Sequence, residues 1–213
     1  MSRIAVAALL LSTAGLVHAQ APPEVRRASS PEVEAWAFAL TAYPTHPRGG
    51  DTTTSAIGAA DRGALHLEAR YGYEEKDARS AFLGWTFSGG ETVKWELTPI
   101  VGIGWGPTRS FIPGFEASAA WGRFDAYVEG EFVMPKGDAS SRYHYAWSEL
   151  GFKATEALRI GAVGQRTRLY GGEREFQRGP FAQLAWKSLT LGAFWFNPGA
   201  SDQVFVGSVG LSF

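Results

Sequence analysis

In the stretch GALHLEARYGY (63–73), His66, Glu68 and Arg70 occupy every second position. An imidazole, a carboxylate and a guanidinium so spaced share one face of an extended chain, because successive strand side chains point to opposite faces. The same rule puts Lys94 with Glu96, and Asp125 with Glu129 and Glu131, while Glu116, Glu149 and Arg159 fall on the polar faces of their own segments. Rows of charge like these can bind ions, set the charge preference of a passage, or pair with one another in a closed interior. Hydrolysis would need a nucleophile and a base within hydrogen-bond reach. RYHYAWSEL offers His144 and Ser148 beside Glu149, but at roughly 3.3 Å per residue the first two lie about 13 Å apart along a strand. No catalytic residue is assigned. His46, His66 and His144 lie on different segments without ligand spacing, so no metal site and no cofactor is assigned either. GIGWGP (102–107) and SGGE (88–91) precede no helix, which leaves their glycines to turns and strand curvature rather than a phosphate cradle.

The bulk composition narrows the classes. A chain of 213 residues with net charge −1 has no long-range field to attract nucleic acid, and none is expected as a partner. The absence of Cys removes disulfides and thiolate metal sites. The only long apolar run is at the start: MSR, then IAVAALLLSTAGLV, then Val17-His18-Ala19, which has the small-x-small form of an export-signal cleavage site. The expected organisation is a signal peptide over 1–19, a disordered Pro-rich leader over 20–33, and one domain over 34–213.

From Glu34 onward the pattern has period two, and no helix is expected. Trp36, Phe38 and Leu40 oppose alanines; Leu65, Leu67, Ala69, Tyr71 and Tyr73 oppose His66, Glu68 and Arg70; Ala81, Leu83, Trp85 and Phe87 oppose Phe82, Gly84 and Thr86. Comparable alternation runs through 92–104, 113–122, 124–132, 143–154, 157–169, 175–187, 189–195 and 204–213. A weaker segment at 51–60 is taken as a strand because single-chain bacterial barrels have even strand numbers. The fold expected is all-β, a single closed antiparallel transmembrane barrel of twelve strands, with ten as the alternative.

Alternation alone would also suit a soluble sandwich with its apolar face inward. Three features choose the membrane. Longer connections (PTHPRGG, YEEKDAR, GWGPTRSFIP, PKGDASSR, YGGERE, NPGASD) alternate with short ones (ADRG, SGGE, GR, TE, KS). Tyr43, Tyr73, Trp121, Trp186 and Trp195 fall near strand ends, where amphipathic rings suit the lipid boundary. The chain also stops on an aromatic residue.

That ending, GSVGLSF, with Phe213 preceded by Leu211 and Val209, resembles the closing strand of bacterial outer-membrane β-barrel proteins. The resemblance implies a place in the outer membrane, contact with its lipids, and recognition of Phe213, Leu211 and Val209 by the barrel-assembly machinery. The apolar faces then meet lipid. His66, Glu68, Arg70, Lys94, Glu96, Glu116, Asp125, Glu129, Glu131, Glu149, Lys153 and Arg159 line the inside. Acids over 116–131 facing arginines over 159–178 would set up a transverse field across a pore. Small inward residues such as Gly161 and Gly192 would leave room for a passage or for larger opposing side chains. The leading expectation is a narrow pore for small polar solutes. The alternatives are a non-conducting structural or surface-interaction barrel with paired lumen charges, and a lipid-modifying enzyme using His144 or Ser148. No oligomeric state is legible.

Two positions resist the scheme. Pro99 cannot donate in a ladder and calls for a bulge. Arg166 and Arg168 share parity with outward Ile160 and Ala162, so either Gly164 bulges and turns them inward or they sit above the apolar band. The leader reading has its own test: mass spectrometry of the exported protein should find Gln20 as the first residue.

Overall fold

The computed structural model describes residues 35–73, 76–137, 141–169 and 174–213; the expected signal peptide and leader lie outside them. The strands are β1 (Ala37–Pro47), β2 (Thr53–Arg62), β3 (Leu65–Tyr71), β4 (Arg79–Trp85), β5 (Phe87–Gly89), β6 (Lys94–Trp105), β7 (Ser110–Trp121), β8 (Phe124–Pro135), β9 (Tyr143–Lys153), β10 (Leu158–Leu169), β11 (Arg174–Trp186), β12 (Leu189–Phe196) and β13 (Val204–Ser212). Except for β4 and β5, which do not pair with each other, consecutive strands pair antiparallel. The ring closes where β1 meets β13, Ala39 opposite Ser212 and Pro47 opposite Val204. β4 and β5 both lie against β6, one after the other, so they form a single interrupted wall strand and the barrel has twelve staves. The doubtful 51–60 segment is β2, with Ile57 buried inside.

Prolines are accommodated by gaps rather than bulges. β6 runs unbroken through Pro99, and the residue numbers of partners keep the same sum on either side of it, Gly84 opposite Ile100 and Phe87 opposite Leu97. The expected bulge is therefore absent. A missing N–H costs one ladder bond, and the partner strand breaks at Thr86, whose N–H extends the β3–β4 ladder to the Ala64 carbonyl at 2.7 Å. The same solution recurs at Pro44, where the β1–β13 ladder skips from Ala42 to Thr45, and at Pro113, where β7–β8 skips from Phe111 to Gly114.

The apolar faces point outward. Leu67, Leu83 and Val101 form an exposed cross-strand row on β3, β4 and β6. Around the end holding the termini, Trp36, Trp85, Trp95, Trp121, Phe124 and Trp186 form one aromatic girdle; around the other end lie Tyr71, Trp105, Phe111, Phe176, Trp195 and Phe205. Two girdles bounding an apolar band are what a bilayer demands of a barrel surface. Tyr43 and Tyr73 do not join them, contrary to expectation. Tyr43 keeps the inward parity of Thr41 and Thr45. Tyr73 is turned inward by Gly72, whose φ of +64° breaks the alternation just past β3.

Several long connections are shorter than the sequence suggests. β6 and β7 run out to Trp105 and Ser110, leaving only 106–109 between them, and β1 absorbs Pro44 to Pro47. The turns at the termini end stay tight: 63–64, 122–123 and 187–188. Phe213 joins the ring through paired backbone bonds with Phe38, 2.8 and 3.0 Å, and their rings stack.

The outward assignment makes a quantitative prediction. Leu83→Arg, on the 53% exposed outer face, should lower unfolding free energy in vesicles by about 2–4 kcal/mol, measured by denaturant titration. An aqueous surface would leave it nearly unchanged.

Candidate functional site: the charged interior

Inside the barrel the inward parity of the strands gathers charged residues. His66, Glu68, Arg70, Glu116, Glu129, Glu131 and Glu149 are buried, and Asp125, Lys153 and Arg159 are partly so. Lys94 and Glu96 differ. They share the inward parity of Thr98 but sit at the mouth on the termini end, where Glu96 is exposed.

Two arginines organise the interior. Arg70, 3% exposed, contacts Glu68 through Nε, and its Nη1 lies 2.6 Å from Glu131 Oε1 and 3.0 Å from Glu129 Oε1. Its guanidinium also sits between the rings of Tyr73 and Phe82, 4.3 Å from each centroid. The Tyr73 hydroxyl donates to Glu129 Oε1 at 2.8 Å and its ring meets Tyr145 edge-on. A planar cation suits this setting, because its edge donates to carboxylates while its faces stack on rings.

Arg159 builds the second layer, nearer the termini. Its Nε donates to Asp125 at 2.9 Å, and Nη1 donates to Glu149 Oε2 at 2.6 Å and Gln183 Oε1 at 2.7 Å. The indole N–H of Trp147 donates to the other Glu149 oxygen at 2.9 Å. Phe181 lies under the Arg159 guanidinium, and Trp147 packs edge-on against Phe194 and Phe196.

At Gly161 the room goes to a larger opposing side chain, one of the two uses expected of the small inward residues: a Cβ there would come within 2.8 Å of the Phe181 ring, which fills the space. The expected basic wall facing an acidic one is not found among the described residues. Arg159 lies among its acids, while Arg166 and Arg178 are exposed on the outward parity. No bulge occurs at Gly164, because the β10–β11 register is continuous through it, Val163 opposite Gly179 and Gln165 opposite Gln177. The side chain of Arg168 lies outside the described residues. Among the described interior residues the acids Glu68, Glu116, Asp125, Glu129, Glu131 and Glu149 outnumber Arg70, Lys153 and Arg159.

The hydrolytic candidates face the other way. His144 is exposed and stacks on Phe132, and the Ser148 hydroxyl donates to the Gly164 carbonyl at 3.2 Å. The sequence pattern missed Tyr43 and Tyr73 as interior residues, since Tyr43 was placed by its nearness to a strand end and Tyr73 by a parity that Gly72 breaks.

The fold is that of bacterial outer-membrane β-barrel proteins, a closed antiparallel ring of twelve strands. No family model matches the sequence, and no curated protein does. Among solved structures the chain is similar to the KdgM porin in complex with disordered oligogalacturonate, with a TM-score of 0.63 at 8% identity, covering 82% of this chain and 99% of that one. The KdgM porin by itself gives 0.62 at 9% identity with the same coverage. The Acinetobacter baumannii outer-membrane protein Omp33 gives 0.45 at 11% identity, covering 84% of this chain and 98% of that one. At these identities the likeness is one of fold.

Removing Arg70 should strand three buried carboxylates. Arg70→Ala is expected to cost about 3–5 kcal/mol, read as a lower temperature for loss of the compact, heat-modifiable band in gels. Lys187→Ala, at a surface turn, should leave that temperature within a degree or two, as surface changes usually cost little.

Proposed function

We propose that the protein is a porin-like outer-membrane barrel whose lumen is shut at rest by its own paired charges and rings. One observation carries this reading: the Arg70 layer is sealed, with Glu129 only 1% exposed although it faces the axis of the barrel. Eight-stranded barrels are filled by side chains and sixteen-stranded ones hold a channel. This twelve-stranded ring supplies enough large inward residues, among them Trp147, Tyr43, Phe194 and Phe196, to fill the space between. Such a barrel is a stable frame that holds its outward connections at the cell surface without opening a leak. The signal-like pattern of the first nineteen residues, the aromatic girdles and the Phe213 closing strand support delivery to the outer membrane by the barrel-assembly machinery.

A second reading, a narrow pore, is favoured by the likeness to a porin. The acidic interior would then prefer cations and small polar solutes. It would not suit an acidic oligosaccharide such as the one in the KdgM complex, since carboxylates in a low-dielectric lumen repel polyanions.

Planar-bilayer recording separates the two. The wild type should insulate, and the combined Arg70→Ala, Glu129→Ala and Glu131→Ala variant should conduct with cation preference. Steady wild-type conductance would overturn the shut lumen in favour of the pore.

A further inference from the structure

Between the Arg70 layer and the mouth at the termini end, a group of side chains converges that closure of the lumen does not explain. A ring nitrogen of His66 and one carboxylate oxygen each from Glu68 and Glu116 lie within 4.8 Å of one another, and all three residues are buried. Nitrogen and oxygen ligands bind a first-row divalent ion at about 2.0–2.2 Å, which spaces them about 3–4 Å apart.

The hydrogen bonding points the donors the same way. His66 Nδ1 lies 2.7 Å from Asp61 Oδ1. An ionised carboxylate only accepts, so Nδ1 carries a proton, and in the neutral ring the lone pair is then on Nε2. Nε2 is buried and has no hydrogen-bond partner. Glu68 gives Oε1 to Arg70, and its Oε2 is likewise buried without a partner. A buried acceptor left without a donor is costly, and both of these atoms belong to residues of this cluster. A carboxylate behind a histidine is also the outer-shell arrangement that fixes the tautomer of metal-bound imidazoles.

Charge gives an independent reason. Arg70 is one cation shared among Glu68, Glu129 and Glu131, with Glu116 close to Glu68. A cation between Glu68 and Glu116 would relieve the repulsion of two neighbouring buried carboxylates. Room for the imidazole comes from Gly84, directly across the ladder, where a Cβ would stand 3.2 Å from His66 Cδ2.

We propose that His66, Glu68 and Glu116 form a binding site for a divalent transition-metal ion inside the barrel, with Asp61 orienting the histidine. One imidazole and two carboxylates favour Zn2+-like ions over Mg2+ or Ca2+, which take all-oxygen sets. Three protein ligands leave a coordination position for water. The ion ties β3 to β7 and offsets the acidic surplus. Asp61, whose side chain is 29% exposed, marks the approach from the termini end. The proposal does not depend on whether the lumen conducts.

The test uses the folded full barrel in detergent, stripped with EDTA, dialysed and titrated with Zn2+ by calorimetry, with bound metal measured afterwards. A single Zn2+ should bind per barrel, unaffected by excess Mg2+. His66→Gln and Glu116→Gln should abolish uptake, and Asp61→Asn should weaken it about 10- to 100-fold. Absence of stoichiometric uptake by the wild type overturns the site, and means that a doubly protonated His66 answers the carboxylates instead. Uptake unchanged in His66→Gln overturns it as well, placing the zinc elsewhere. If neither ligand variant gives the heat-modifiable folded band, Asp61→Asn decides, and unchanged affinity there rejects the proposal.

Discussion

A strand in hydrocarbon has nowhere to send its N–H and C=O groups except to another strand, and this requirement governs the whole molecule. The pairing of β1 with β13 discharges it by leaving no edge. Once the ring is closed, every residue has one of two destinations, lipid or axis, and period two assigns them. The row of Leu67, Leu83 and Val101 and the enclosure of Glu68 and Arg70 are two outcomes of that one constraint. The prolines show how firmly it holds. At Pro44, Pro99 and Pro113 the ladder has a gap while the register is kept, since a slip of one residue would send charge into lipid.

The interior inherits the opposite problem. Charges excluded from lipid collect where water is also scarce, so each must find a partner at short range. Arginine meets this demand better than lysine, because its fork reaches several carboxylates while its flat faces accept rings. Arg70 and Arg159 each combine carboxylates on the edge with an aromatic ring on the face. The layers they build join strands far apart in sequence, such as β3 with β8 and β10 with β8. The acids in these layers still outnumber the guanidiniums.

Most of the wall was legible in the chain, including the strands, the outward faces of Leu65 to Tyr71, the inward Glu129 and Glu131, and the closing segment at Phe213. These follow from alternation, which is local and repeats along each strand. Tyr73 was not, because a single left-handed glycine at 72 inverted the parity of everything beyond it. Neither were the strand extensions into Pro47, Trp105 and Ser110, since proline and glycine mark a turn locally and a neighbouring ladder can override them.

By itself the sequence determined a closed β-wall, which side of it is greasy, and which residues cannot face lipid, because burial preference and two-residue periodicity are properties of each segment alone. Only the tertiary structure decided whether the enclosed charges face one another across water or lock together. It did so by bringing Arg70 to Glu131, Arg159 to Asp125, and His66 to Glu116. Those meetings depend on barrel circumference and strand stagger, which no single segment encodes.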